Sequence, residues 1–315
     1  MGRIQKCCEE TQLNSKALII GYGSIGRRHS KLLTKLLGKE NVYVMSSQKK
    51  IPFKKINSFK DVSLLDPDYV VIASPTFLHF EQLKRIDKIL SKKLVLIEKP
   101  LFSEKRKLSL KKNTYFVGYN LRFHPLINML KDSIKKDGIL QVNIICNSYL
   151  PDWRENISYK KSYSSSKKRG GGVLLDLSHE IDYLRYLVGD IEHLFSKNSK
   201  ISDLEIDSDD YLNLFGRIVG GGFFNVNLNY FSKNPTREIF VETTSKSVHL
   251  NLIDSQITFY YLKKNKKVIK KKYPIERSYL DQHKAILSGD NSKICTLKEG
   301  AEVMNLVDRI QKFNK

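Results

Sequence analysis

Residues 16 to 26 read KALIIGYGSIG, an apolar run that passes directly into glycines at 21, 23 and 26. Few short patterns restrict a fold as tightly. A buried strand that ends in G-x-G-x-x-G and feeds a helix is the first strand-to-helix turn of a parallel sheet. The first glycine makes the turn, the second lets a pyrophosphate approach the backbone, and the third brings helix against strand. The helix is present in the pattern, because Ile25, His29, Leu32, Leu33 and Leu36 share one face. Gly21, Tyr22, Gly23, Ser24, Ile25 and Gly26 are therefore read as a dinucleotide cradle at a helix N-terminus.

The same alternation continues to about residue 120. VYVMS (42–46), YVVIAS (69–74), LVLIE (94–98) and TYFVGYN (114–120) read as further strands, and Phe80, Leu83, Ile86 and Leu90 line a helix between two of them. Beyond residue 121 the character changes. A helix over HPLINMLKDSIKK is followed by runs that mostly alternate, from ILQVNIICNSYL to QITFYYL, as strands of an antiparallel sheet with one buried face do. A helical segment at 174–188 interrupts them, and two more near 276–288 and 297–313 close the chain. At 315 residues the chain exceeds what one core usually holds. The expected fold is α/β: a Rossmann-type doubly wound parallel sheet over 16–121, then an α+β domain with a large, mostly antiparallel open sheet over 122–315. An extension of residues 1–15 precedes them.

Charge and cysteine usage bound the partners. The chain carries 55 Lys and Arg against 33 Asp and Glu, a net +22. The excess is scattered lysine with one dense run, KKNKKVIKKK at 263–272, which reads as a solvated edge strand. No nucleic-acid signature accompanies it, so attraction to small anions is expected rather than nucleic-acid binding. Cys7, Cys8, Cys146 and Cys295 match neither a disulfide framework nor a zinc spacing, so a reduced cytoplasm and no metal are expected. Residues 1–15 lack the apolar core of a secretory signal, and no apolar run is long enough for a membrane span.

Four further stretches carry chemistry. An NAD-preferring site places Asp or Glu about 20 residues beyond the fingerprint, against the ribose 2′-hydroxyl. Here Ser46 stands there, followed by Ser47, Lys49 and Lys50, which favours NADP over NAD. SPTFLH brings Ser74, Pro75, Thr76 and His79 to the carboxyl end of the third strand, where ligands of parallel sheets bind. Taken alone, His79 reads as a satisfied histidine on a helix surface. VLIEKP (95–100) delivers Glu98, Lys99 and Pro100 to the end of a buried strand, and an ammonium aimed there stabilises a developing alkoxide. The loop at 148–168, with Trp153, Arg154 and Tyr163, suits a sugar equally as well as ordinary packing.

Together GYGSIG, SPTFLH, EKP, NLRFHP (120–125) and GGGVLLDLSHEID (170–182) resemble the glucose-fructose oxidoreductase, inositol dehydrogenase and rhizopine catabolism family, Gfo/Idh/MocA. The resemblance runs over about residues 16 to 313. It implies an NAD(P)-dependent oxidoreductase, with Lys99 between nicotinamide and substrate and with Asn120 and Arg122 lining the ligand cleft. Family members typically carry an aspartate and, four residues later, a histidine that moves the proton. Here His179 is three residues after Asp176 and Glu180 is four after it. On one continuous helix both offsets share a face. Imidazole has the better pKa for the task, so His179 is assigned the shuttle, with Glu180 the alternative and Asp176 orienting substrate or histidine.

SYLPDWR and SYSSSKKRGGG resemble members from bacterial surface-sugar and nonulosonic acid pathways, implying a sugar or nucleotide-sugar substrate. A homo-oligomer, dimer or tetramer, is implied by analogy. The rival class is a non-catalytic dinucleotide-binding sensor or assembly protein. Lys99 and His179 speak against it, since a pure binder needs neither.

Overall fold

The computed structural model describes residues 15–155 and 158–314. Cys7 and Cys8 in the N-terminal extension lie outside the described residues. The chain forms two compact units. It leaves the first at Leu121, returns to it over Pro274–Ala301, and completes the second from Glu302 onward. A single boundary at residue 121 does not show that return. The helix Ile275–Ser288 is apolar on one face only, and sequence periodicity does not name the surface that covers that face.

The first unit is built on a seven-stranded sheet. Its strands are β1 (Ala17–Ile20), β2 (Val42–Met45), β3 (Lys54–Ile56), β4 (Tyr69–Ile72), β5 (Leu94–Ile97) and β6 (Thr114–Val117). In space they run β6-β5-β4-β1-β2-β3, all parallel, which is the doubly wound order. β1 and β4 sit centrally and bury all four residues each, as strands covered on both faces must. The helix Ser24–Leu37 starts at Gly23 and stops at Gly38, whose φ of 81° a side chain would disfavour. Two short strands of this sheet are absent from the sequence reading. One is β3, and the other is a two-residue strand, Cys295–Thr296, paired antiparallel to β6. Both are shorter than any window in which periodicity registers.

The second unit carries an eight-stranded sheet. In chain order its strands are β7 (Ile139–Tyr149), β8 (Ile191–Ser199), β9 (Tyr211–Ile218), β10 (Phe223–Asn229), β11 (Phe231–Thr243), β12 (Ser247–Asn251), β13 (Gln256–Tyr260) and β14 (Lys267–Lys270). They lie in the order β14-β13-β12-β11-β7-β10-β9-β8, antiparallel throughout except for the β10 and β7 pair. The lysine-rich β14 occupies one edge. One expectation needs correction. Residues 174–188 do not form one continuous helix but two, Val173–Asp176 and Ser178–Val188, broken where Leu177 takes φ −96° and ψ 27°. Asp176 therefore closes one turn while His179 and Glu180 open the next helix, and offsets of three and four no longer define a shared face.

Candidate active site

In the first unit the three glycines of the turn have separate reasons to be glycine. Gly21 has φ 99°, and a Cβ there would meet the Ser74 backbone nitrogen at 2.6 Å. At Gly26 a Cβ would lie 2.1 Å from the carbonyl oxygen of Gly21. Gly23 differs from both: among the described residues nothing lies within 4 Å of a Cβ built on it. Neither φ nor neighbours among the described residues require a glycine at 23. A ligand backed against the first turn of the helix Ser24–Leu37 does require one, so the residues present fit a dinucleotide pyrophosphate. Ser46 follows β2, and its Oγ accepts from the Gln48 amide at 3.2 Å. Gln48 Nε2 in turn donates to the Tyr22 carbonyl at 2.8 Å, which holds the serine loop beside the glycine turn. Arg27 adds a cation that motif reading passed over: its guanidinium lies 5.5 Å from the Tyr22 ring centre and 3.4 Å from Gln48 Oε1. Ser47 and Lys49 are exposed.

The next loop is anchored from beneath. Pro75 caps the helix Thr76–Ile89, and Ser74 Oγ donates to Gln82 Oε1 at 2.6 Å. His79 is buried rather than on a helix surface, contrary to its reading in isolation. Its Nε2 and Nδ1 lie 2.9 and 3.2 Å from the carbonyl oxygens of Ser74 and Leu101. Burial, the largest influence, lowers its pKa. His79 thus ties the end of the third strand-helix loop to the segment just past Lys99. Helical periodicity places it on its helix but does not reveal the carbonyls it meets. The Lys99–Pro100 peptide is cis, Glu98 is buried, and Lys99 is half-buried at the carboxyl end of β5. Asn120 is buried and donates through Nδ2 to Ser278 Oγ at 2.5 Å. Its Oδ1 has no partner among the described residues, and neither has either amide atom of Gln282, one turn beyond Ser278. Buried polar atoms of that kind are ordinarily satisfied by ligand or water.

In the second unit the glycine-rich run holds a polar and aromatic cluster. Asp176 is buried, and Tyr230 donates to its Oδ2 at 2.6 Å. The Asp176 charge, ahead of burial, raises the pKa of Tyr163, and the Arg154 guanidinium sits 5.2 Å from the Tyr163 ring centre. Trp153 packs edge-on against Tyr230 with ring centres 5.1 Å apart and donates through Nε1 to Ser148 Oγ at 3.0 Å. Asp209 joins the same cluster. Its Oδ2 accepts from the Leu174 amide at 2.9 Å, and burial, assisted by the Asp176 charge, raises its pKa to about 6. Gly172 has φ 122°, and a Cβ there would meet Asp209 Oδ1 at 2.2 Å. Sequence reasoning missed Asp209 and Tyr230. Neither sits in a motif, and only strand pairing brings them to Asp176.

Two sequence candidates are bound up in ion pairs. Arg122 Nη2 and Nε stand 2.8 and 3.0 Å from the two oxygens of Asp182, and both side chains are buried. Glu180, wholly buried, accepts from Arg237 of β11. Burial, the largest single influence, pulls the Arg237 pKa down, but Glu180, Cys146 and Tyr183 together outweigh it and the net shift is upward. His179 immediately precedes Glu180 in sequence and retains 9% exposure. Among the described residues no group of His, Cys, Asp and Glu is arranged to hold a metal ion.

The pattern for an oxidoreductase family with an NAD-binding Rossmann fold matches residues 15–109, and that for the GFO/IDH/MocA C-terminal domain matches residues 129–249. The chain belongs to the GFO/IDH/MocA family. It is therefore an NAD-binding oxidoreductase, with the parallel sheet and the mostly antiparallel sheet of that family. Comparison with curated proteins by sequence gave no match. Solved structures share the GFO/IDH/MocA fold at low identity. A levoglucosan dehydrogenase in complex with NADH is 16% identical with a TM-score of 0.81, covering 96% of this chain and 97% of its own. The UDP-N-acetylglucosamine 3-dehydrogenase GnnA from Acidithiobacillus ferrooxidans is 15% identical with a TM-score of 0.74, covering 95% and 97%. The WlbA dehydrogenase from Bordetella pertussis, in complex with NADH and UDP-GlcNAcA, is 16% identical with a TM-score of 0.76, covering 96% and 95%.

Proposed function

We propose that this GFO/IDH/MocA protein oxidises or reduces a carbinol or carbonyl carbon of a sugar or nucleotide-sugar derivative. The observation that carries the substrate class is the cluster around Asp176. A buried carboxylate held by the Tyr230 hydroxyl stands beside Tyr163, Trp153 and Arg154, which together offer an acceptor, aromatic faces and a cation. Sugars bind through such sets, and the cation suits a phosphate or carboxylate on the substrate. Fold neighbours that are named for, or bound to, sugars and nucleotide sugars support the same class.

When bound, the nicotinamide supplies or receives the hydride. The ammonium of Lys99 is assigned to the reacting oxygen, where a fixed positive charge lowers the energy of an alkoxide. His179 gives or takes the hydroxyl proton, and Asp176 accepts from and orients a substrate hydroxyl. Arg122 and Glu180 are assigned to positioning, because each is already engaged by an oppositely charged partner. NADP is the preferred cofactor in this reading. No carboxylate follows β2, and Arg27 joins Lys49 and Lys50 as a cation near Ser46. A cytoplasmic homo-oligomer completes the proposal. The cysteine spacing matches no disulfide framework, which fits a reducing compartment, and exposed Phe195, Phe215 and Phe223 on the second sheet offer a pairing face.

A thermal-shift screen of NADPH and NADH, alone and then with UDP-sugars and free sugars, tests the reading, since a ligand that binds only the native state raises the melting temperature. A further rise with a UDP-sugar on top of cofactor, followed by cofactor absorbance change during turnover, is the expected result. Cofactor stabilisation with no response to any sugar would reject the substrate class.

A further inference from the structure

Four buried side chains in the first unit form an unbroken line of hydrogen bonds that the reading above does not use. Tyr69 Oη, at the start of β4, lies 2.9 Å from His283 Nδ1. His283 Nε2 lies 2.8 Å from His29 Nδ1, and His29 Nε2 lies 2.9 Å from Glu98 Oε1. Tyr69, His29 and His283 have no exposure, and Glu98 has 5%. The last oxygen in the line, Glu98 Oε2, accepts from the backbone N–H of Lys99 at 3.3 Å. Room for the carboxylate is built in, because a Cβ on Gly118 would sit 2.6 Å from Glu98 Oε1.

Donor and acceptor counting fixes the direction of this line. Each imidazole touches a neighbour through both nitrogens, and a neutral ring has one donor and one acceptor. If Tyr69 donates to His283 Nδ1, then His283 Nε2–H donates to His29 Nδ1 and His29 Nε2–H donates to Glu98. Every atom is satisfied with both rings neutral and Glu98 ionised. The reverse direction needs either a protonated Glu98 or a doubly protonated His29, and in both cases a buried tyrosine that only accepts. Burial, with the Glu98 charge adding to it, raises the Tyr69 pKa well above its usual value, so the phenol keeps its proton to donate. Burial, and then His29, lowers that of His283. Tyr279 packs edge-on against His29 with Arg28 beyond it, and His79 lies in the field of Glu98. Tyr69 is wholly buried, so the line ends inside the protein and does not carry protons to solvent.

We propose that Tyr69, His283 and His29 are positioning residues: a one-way relay that fixes Glu98 as a carboxylate and so clamps the backbone from which Lys99 projects. The relay runs from the amino end of β4 to the carboxyl end of β5, and it enlists a helix, Ile275–Ser288, that follows the second sheet in sequence. His29 serves packing on its own helix, yet packing alone would be met by an apolar ring.

The test is nuclear magnetic resonance of the whole protein at pH 7.5, with the two rings assigned through His29→Gln and His283→Gln. Long-range proton–nitrogen spectra should show both rings neutral, with the proton on Nε2. Tyr69→Phe, which keeps the ring volume, should let His283 take the Nδ1–H form and should speed exchange of the Lys99 amide about tenfold. Glu98→Gln should leave both tautomers in place yet speed the same exchange, because with the amide oxygen facing His29 the amide NH2 faces the Lys99 N–H and cannot accept from it. An Nδ1–H ring in the unaltered protein, or unchanged tautomers and Lys99 exchange in Tyr69→Phe, overturns the relay. On the sugar substrate, Tyr69→Phe should lower kcat about tenfold with KM unchanged, and a normal kcat overturns the positioning role. The spectra need no substrate, so failure of the sugar assignment is distinguishable: it shows as absent turnover in the unaltered protein.

Discussion

Glu180 and Arg237 form a closed ion pair, with Arg237 Nη2 and Nε at 2.6 and 2.8 Å from Glu180 Oε1 and no exposure of the carboxylate side chain. A group so engaged is poorly placed to exchange protons with substrate, whereas its neighbour His179 keeps some exposure. His179→Asn should therefore lower turnover on the order of a hundredfold or more while leaving the melting temperature nearly unchanged. Glu180→Gln should act the other way, costing about 3 kcal/mol of stability by stranding the Arg237 charge. Turnover and denaturation of the two variants decide the assignment. A stable, inactive Glu180→Gln beside an active His179→Asn would move the shuttle to the carboxylate.

Gly23 and Gly26 make opposite demands. A Cβ at 23 meets nothing among the described residues within 4 Å, so Gly23→Val should fold normally but weaken cofactor binding at least tenfold, about 1.4 kcal/mol. Alanine at 26 meets a carbonyl at 2.1 Å, so Gly26→Ala should lose stability with or without cofactor. Cofactor titration alongside thermal unfolding separates the two effects. Equal damage to folding from both substitutions would remove the case for a ligand at Gly23.

Lys99→Ala should leave cofactor affinity close to unchanged and lower kcat by about a hundredfold or more, the usual scale for loss of one electrostatic stabiliser. A drop of less than tenfold would make Lys99 a strand-end lysine.

Cofactor choice rests on charge at the end of β2. Ser46→Asp should shift preference from NADPH toward NADH by setting a carboxylate against a 2′-phosphate. Arg27→Ala should weaken NADPH more than NADH. Dissociation constants for the four combinations check both, and equal affinity of the unaltered protein for the two cofactors would contradict the preference.

His124 caps the helix Pro125–Ile134 by accepting from the Leu126 amide, and burial, with the Arg237 charge adding to it, lowers its pKa from 6.5 to about 4. Below pH 6.5 the unfolded chain takes up a proton that the folded chain refuses, so stability falls as pH drops. By pH 4 the loss from this one group should be about 3 kcal/mol. His79 and His283, also lowered, act in the same direction. His124→Asn keeps a capping oxygen without the titration, so its denaturation midpoint should decline less steeply between pH 7 and 4 than that of the unaltered protein.

The sequence by itself determined the parallel sheet, the glycine turn and the strand that presents Lys99. Each is a local matter: Ala17–Ile20 is a short apolar run, and the spacing of Gly21, Gly23 and Gly26 is set within one turn. Only the tertiary structure decided which polar residues meet. Tyr230 and Asp176 are 54 positions apart, and His29 and His283 are 254 apart. It also decided that His79 is buried, that Leu177 breaks the helix between Asp176 and His179, and that Arg122 and Glu180 are taken up by Asp182 and Arg237. The physical reason is the range of the forces that write each pattern. Backbone sterics and hydrophobic periodicity act over a few residues and leave their mark in order along the chain. A buried polar side chain is satisfied by whichever donor or acceptor packing brings within hydrogen-bond distance, and no spacing in the sequence records that partner.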